Sequence, residues 1–198
     1  MKPTTIIHLL SGGLDSVTML YDMHRDGQLV YCLLFDYGQP HVQELQFAKG
    51  HCRSLDVQWS KVEIPQLGGL TDESWVVPFR NPIMLSVAVN FAVRAGAETI
   101  TIASNADDRA EFPDCRWEVM DVMNHAIKLS GYDVTIKTPY ENKRKWQIVA
   151  LARELGVRIT ETWSCYRGGA KPCMKCPACE KMIAALDDDG GMKTMRPL

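Results

Sequence analysis

The feature that most restricts this chain is how it opens. A short β-branched run, Thr5–Leu10 (TIIHLL), ends in Ser11-Gly12-Gly13, and a helical pattern follows at once. Runs of this kind recur along the chain. Leu29–Phe35, Val57–Ile64, Thr99–Ala103 and Val134–Lys137 read as further buried strands. Between them lie amphipathic stretches from Asp15 to Arg25, Val42 to Leu55, Arg116 to Ser130 and Lys145 to Leu155, several closed by a glycine. A fifth intervening helix has Asn81 in the N-cap position, Pro82 at its first turn and Gly96 beyond its end. Its middle, IMLSVAVNFAV, is apolar nearly all round, which predicts deep burial. Gln66–Pro78 reads as a loop. Strands alternating with helices require crossover connections, so the expectation is an α/β fold with a doubly wound, Rossmann-like parallel sheet.

The chain has 198 residues, enough for one domain with a small appendage. Its composition, 46% hydrophobic and 23% charged, belongs to a folded globular protein. The net charge of -2 argues against a binder of nucleic acid driven by electrostatics. No apolar run is long enough for a membrane span, and the N-terminal run is too short for a signal peptide. Seven cysteines are present, an odd number, and four of them (Cys165, Cys173, Cys176 and Cys179) fall within 15 residues. That clustering reads as a metal site in a reducing, cytoplasmic compartment rather than as a disulfide framework. Two interlocking Cys-x-x-Cys steps let three thiolates converge on one ion, and Cys165 can close a tetrahedron across Gly168-Gly169. The division expected is 1–160 for the α/β domain, 161–186 for a cysteine knuckle with a helix, and 187–198 for a flexible tail.

In doubly wound sheets ligands bind beyond the C-terminal strand ends, which is where Ser11-Gly12-Gly13-Leu14-Asp15-Ser16 lies. Glycines admit an anion close to the backbone, and the N–H groups of a helix start favour negative charge. The segment is a phosphate cradle, yet it matches neither a Walker loop nor GxGxxG. It resembles the signature of the PP-loop pyrophosphatase superfamily, whose members cleave ATP between the α and β phosphates and adenylate an oxygen of the substrate. The resemblance implies that Leu10, Ser11, Gly12, Gly13, Leu14, Asp15, Ser16, Val17 and Thr18 hold ATP, with Asp15 near magnesium and Asp15 and Ser16 catalytic. Non-redox adenylation favours zinc over an iron–sulfur cluster at the four cysteines, as a closed structural site.

The loop combined with the knuckle is similar to the 7-cyano-7-deazaguanine synthase (QueC) family. The likeness runs through Phe35-Asp36-Tyr37-Gly38-Gln39 with His41, Val77-Pro78-Phe79-Arg80-Asn81, Asn105, Asp108, Pro113-Asp114-Cys115-Arg116, Thr138-Pro139 and Thr162-Trp163-Ser164-Cys165-Tyr166. It implies an ATP-dependent ligase, a homodimer, that joins a small 7-deazaguanine carboxylate to ammonia and carries the amide on to the nitrile. Arg80, Asn105, Asp108, Asp114 and Arg116 are the implied substrate contacts. Asp36 either joins the ATP site or caps a turn, and His41 is either a helix-start residue or a base. Cys115 is assigned to packing or contact, and Trp117, Trp146, Met120 and Met123 to core or interface. Four features depart from the family pattern: Phe79 and Ala103 in place of glycines, Ala110-Glu111-Phe112 in place of Ser-Gly-Tyr, and a shortened Gln66–Pro78 connection. A diverged amide synthase, an adenylase of a related base or macromolecule, and a zinc-knuckle nucleic-acid binder are the competing readings.

Overall fold

The computed structural model describes residues 5–70 and 76–188. Its elements follow the order β1 (Ile6–Leu9), α1 (Leu14–Arg25), β2 (Val30–Asp36), α2 (Glu44–Ser54), β3 (Gln58–Glu63), α3 (Arg80–Ala95), β4 (Thr99–Thr101), α4 (Ala106–Glu111), α5 (Trp117–Leu129), β5 (Thr135–Lys137), α6 (Lys145–Glu154) and α7 (Pro177–Asp188). The strands form one parallel sheet in the order β3-β2-β1-β4-β5. Strand order reverses at β1, between β2 and β4. The crevice that opens at such a switch point is where this class of sheet binds its ligands.

Alternation along the strands sorts the side chains into two layers. Ile7, Leu9, Leu33, Phe35, Ile100 and Ile136 face α3 and α5. Leu10, Cys32 and Leu34 face the other way, into a core shared with Leu14, Val17 and Leu20 of α1, Leu45, Ala48 and Cys52 of α2, Val149 and Ala152 of α6, and Ala185 and Leu186 of α7. His8 points to that second side and is fully buried. One ring nitrogen meets Thr101 Oγ1 at 2.9 Å, and Nε2 donates to the Ser16 carbonyl at 2.9 Å. Burial pulls its pKa down to about 4, so the ring is neutral and ties β1 to the first turn of α1.

Four local readings change. The helix expected to begin after an Asn81 cap begins at Arg80, with Phe79 at its N-cap in a left-handed conformation (φ 59°). The cap comes instead from a distant residue, since Asp114 Oδ2 accepts the Asn81 backbone N–H at 3.1 Å. α3 is also one-sided: Met84, Leu85, Ala88 and Ala92 are buried, whereas Ser86, Asn90 and Val93 are exposed. The Gln66–Pro78 connection carries a 3-10 turn over Pro65–Leu70, and 71–75 lie outside the described residues. Finally, α7 continues through Asp187 and Asp188, which the sequence reading gave to the tail; the rest of that tail, 189–198, lies outside the described residues. Among the described residues no helix is long and apolar enough to cross a membrane.

Candidate active site

A cavity of about 700 Å³ opens at the switch point. Its floor is the loop between β1 and α1. Gly12 has φ +92°, and a Cβ there would overlap the Glu44 carbonyl oxygen and come within 3.1 Å of the Ala48 nitrogen. Only glycine therefore lets this loop pack on the start of α2. Within the loop, the Gly13 N–H donates to Ser11 Oγ at 3.1 Å, the Ser16 hydroxyl donates to the Gly13 carbonyl at 3.1 Å, and the two serine hydroxyls lie 3.0 Å apart. Leu10, Ser11, Gly13, Leu14, Asp15 and Ser16 line the cavity. Gly12 is not a lining residue but shapes the turn. Val17 and Thr18 are fully buried, and Thr18 Oγ1 donates to the Leu14 carbonyl at 2.7 Å.

Asp15 is the electrostatic centre of the floor. Its Oδ2 accepts from Lys145 Nζ at 2.6 Å and from Asn105 Nδ2 at 3.3 Å, while its buried Oδ1 has no partner among the described residues. Lys145 is set by its own backbone N–H, which donates to Asp107 Oδ2 at 2.8 Å at the start of α6. Asn105 caps α4, accepting from the Asp107 and Asp108 N–H groups at 2.9 Å, and Asp108 returns a bond to the Asn105 N–H at 3.4 Å. Burial, and then the charge of Asp15, push Asp108 up to about 6. An orphaned carboxylate oxygen beside a second, destabilised carboxylate is a donor set that suits a hard divalent cation.

The opposite wall holds Arg80, which donates to the Tyr37 hydroxyl at 2.9 Å and lies 5.3 Å from the centre of its ring. Asp114 and Cys115 line the same wall. Burial pushes the Cys115 thiol up to about 12, which fits contact rather than nucleophilic attack. Two expected site residues stand apart from the others. Asp36 faces the Gly38 N–H (3.3 Å) and Lys61 Nζ (3.4 Å). Arg116 is exposed, reaching the Arg109 carbonyl at 3.5 Å on the outer surface beside Trp117. Among the departures, Ala103 and Glu111 line the cavity, whereas Phe79 is exposed and does not. The charge of Glu111 is answered by Lys181 of α7 at 2.6 Å, and Lys181 also lies over the Phe112 ring.

The knuckle closes the same cavity. The Trp163 N–H donates to the Gly12 carbonyl at 2.9 Å, its indole N–H donates to the Cys165 carbonyl at 2.8 Å, and its ring stacks on Phe47. Cys165, Cys173, Cys176 and Cys179 bring their sulfurs within 4.8 Å of one another. A tetrahedral ion with sulfur bonds of about 2.3 Å sets its ligands about 3.8 Å apart, so the cluster fits a single ion. All four are free thiols, as are Cys32, Cys52 and Cys115. Sequence reasoning missed Lys145, Lys181 and Glu44, each of which looked like an ordinary polar residue of a helix turn. Met120 is core and Met123 packs against it, as expected. Trp117 and Trp146 are half-exposed, and Trp146 borders the cavity.

The family model "Queuosine biosynthesis protein QueC" matches residues 5–76 and 71–189, and the break falls in the shortened connection. The chain is 36% identical to 7-cyano-7-deazaguanine synthase 1 of Colwellia psychrerythraea, covering 93% of this chain and 94% of that protein. It is also 36% identical to the 7-cyano-7-deazaguanine synthase of Archaeoglobus fulgidus, covering 93% and 86%. In fold it is similar to the U34-tRNA thiolase NcsA of Methanococcus maripaludis, solved with a [4Fe-4S] cluster (TM-score 0.63, 15% identity, 96% of this chain and 68% of that one). It is likewise similar to NMN synthetase from Francisella tularensis (TM-score 0.60, 14% identity, 95% and 77%). Glycine loop, four-cysteine cluster and full-length sequence likeness agree: the chain belongs to the QueC family.

Proposed function

We propose that this chain is an ATP-dependent carbon–nitrogen ligase that converts 7-carboxy-7-deazaguanine and ammonia to 7-cyano-7-deazaguanine. The carboxylate attacks the α-phosphorus of ATP, and pyrophosphate leaves. Ammonia displaces AMP from the acyl-adenylate to give the amide. A second ATP adenylates the amide oxygen with loss of pyrophosphate and one N–H proton, and departure of AMP with the remaining N–H proton yields the nitrile. One observation carries the reading: the phosphate-type loop and the partly buried Arg80 line one cavity.

Loop N–H groups and the Ser11 and Ser16 hydroxyls suit the departing pyrophosphate, where charge develops. Magnesium, when bound at Asp15 with Asp108 beside it, would supply charge neutralisation of the phosphates. Lys145 adds a fixed ammonium at the same edge. Arg80 suits the substrate carboxylate, and Asp114 and Asp108 offer acceptors for a purine N–H edge, while Asn105, whose oxygen is taken by two α4 N–H groups, borders the substrate and positions Asp15. The Glu111–Lys181 pair offsets part of the negative charge that Glu111 would otherwise set against a carboxylate substrate. Zinc is the ion proposed for the four cysteines, with a structural role. The proposed assembly is a cytoplasmic homodimer, supported by the exposed apolar Val122 and Leu129 on α5, and light scattering tests it.

The decisive assay is mass spectrometry of products from purified protein, ATP, magnesium, ammonium and 7-carboxy-7-deazaguanine, with Asp15→Ala in parallel. The nitrile mass, with AMP release lost in the variant, is expected. Amide alone would mean that the reaction stops halfway, and no product would point to another acceptor.

A further inference from the structure

One wall of the cavity is used by none of these roles. It is built by the segment after β2, where Gln39, His41 and Glu44 form a buried polar group. Gln39 is fully engaged. Its Oε1 accepts the Tyr37 N–H at 2.8 Å, and its Nε2 donates to the Phe35 carbonyl at 3.1 Å and to Glu44 Oε1 at 3.0 Å. Glu44 is thereby held with its side chain 10% exposed, against the loop that Gly12 turns. His41 Nδ1 lies 3.1 Å from the Tyr166 carbonyl, which can only accept, so the ring proton sits on Nδ1. The Nε2 lone pair then looks toward Glu44 Oε1 across 3.7 Å, too far for a direct hydrogen bond. Both side chains line the cavity, as do Tyr37, Arg80 and Tyr166.

Two acceptors that face one small gap, beside the cation suited to the acceptor carboxylate, call for a compact donor. We propose that the cavity side of the His41 Nε2–Glu44 Oε1 pair is the ammonia subsite, where a nitrogen nucleophile bridges both acceptors from the open face next to the adenylated carbon. The inference rests on the ligase reading above and adds where its second substrate sits. Burial holds His41 neutral and pushes Glu44 up to about 8, so Glu44 exchanges a proton near working pH. The positive field of Arg80 reaches both groups and disfavours a permanently charged guest, which favours loss of the ammonium proton. Ammonium passes one proton to the Glu44 carboxylate. The nitrogen lone pair then forms the C–N bond as the bond to the adenylate oxygen breaks. AMP leaves with that electron pair, and His41 Nε2 takes the proton that the new amide sheds.

The test separates nitrogen capture from adenylation. Amide formation is measured against ammonium concentration in the wild type, Glu44→Gln and His41→Ala. Hydroxylamine, uncharged near neutral pH, serves as an alternative trap that gives a hydroxamate, and ATP–pyrophosphate exchange reports adenylation. Glu44→Gln and His41→Ala are each expected to raise the KM for ammonium about tenfold or more, the loss of one charge-assisted contact. Hydroxylamine arrives without the extra proton, so Glu44→Gln should lose less in hydroxamate formation than in amide formation, whereas His41→Ala, which removes the acceptor of the product's proton, should slow both; ATP–pyrophosphate exchange should persist in both variants. Equal losses with both nucleophiles in Glu44→Gln, or an unchanged ammonium KM in both variants, would overturn the inference alone. Absence of exchange with 7-carboxy-7-deazaguanine in the wild type would overturn the ligase reading and this inference with it.

Discussion

Gly12→Ala is the substitution whose effect follows most directly from the geometry. The new methyl group would overlap the Glu44 carbonyl oxygen and lie 3.0 Å from its carbon and 3.1 Å from the Ala48 nitrogen. All three are backbone atoms at the start of α2, so no side chain can rotate aside. The φ of +92° adds left-handed strain of about 1–2 kcal/mol for an L-residue. The loop must back away by about 1 Å, a displacement of the kind that can cost about 100-fold in rate at a positioned site. It must also stretch the Trp163–Gly12 hydrogen bond, worth about 1 kcal/mol. The expected result is ATP–pyrophosphate exchange reduced about 100-fold, with Tm lowered by roughly 5–10 °C for a chain of this size. Gly50, in the same helix α2, has open space where its Cβ would be, so Gly50→Ala is the matched control. It should keep full exchange and gain about 0.5–1 kcal/mol of stability. Exchange within about threefold of wild type in Gly12→Ala, a loss far smaller than such a misplacement brings, would refute the reasoning.

Three further outcomes are expected. Metal analysis should find one zinc per chain, and chelation should lower Tm by on the order of 10 °C and reduce exchange along with it, because the knuckle holds the loop through Trp163; iron with inorganic sulfide would refute the zinc assignment. Lys181→Ala leaves Glu111 uncompensated at the cavity and should raise the KM for the carboxylate substrate about three- to tenfold, while Glu111→Ala in the same chain should restore it, as substrate titrations will show. Asp108 is held above its ordinary carboxylate range, so its contribution to stability is full below about pH 4 and is lost as pH rises through about 6. Magnesium-free Asp108→Asn should therefore melt higher than wild type at pH 8 and no higher at pH 4, which thermal melts at the two pH values will test.

Residues whose signals are local were legible before any coordinates. The β-branched run into Ser11-Gly12-Gly13 favours a strand entering a tight turn, because β-branched residues suit the pleat and glycines the turn, and Cys-x-x-Cys spacing brings sulfurs within reach of one another. What escaped was decided over long distances. Asn81-Pro82 is a strong start signal, yet the cap arrives from Asp114, 33 residues on, and this moves the helix start back to Arg80. Six-residue α4 has no apolar stripe, and its only mark in the sequence is the Asn105–Asp108 capping box, two residues that also line the cavity. Lys145 shows nothing in sequence beyond a lysine at a helix start. Its meaning comes from Asp15, 130 positions away.

The Trp163–Gly12 hydrogen bond also bears on the order of events at the ribosome. The loop that reads first in the chain is braced by residues that emerge more than 150 positions later. Leu10 and Leu14 likewise share their core with Ala185 and Leu186 near the end of α7. Sequence-distant contacts of this kind form late, after their loop-closure entropy has been met. A chain ending near residue 160 would contain all five strands and still lack the Trp163 brace on the Gly12 loop. Completion of synthesis, rather than formation of the sheet, is then the event that sets the loop in place.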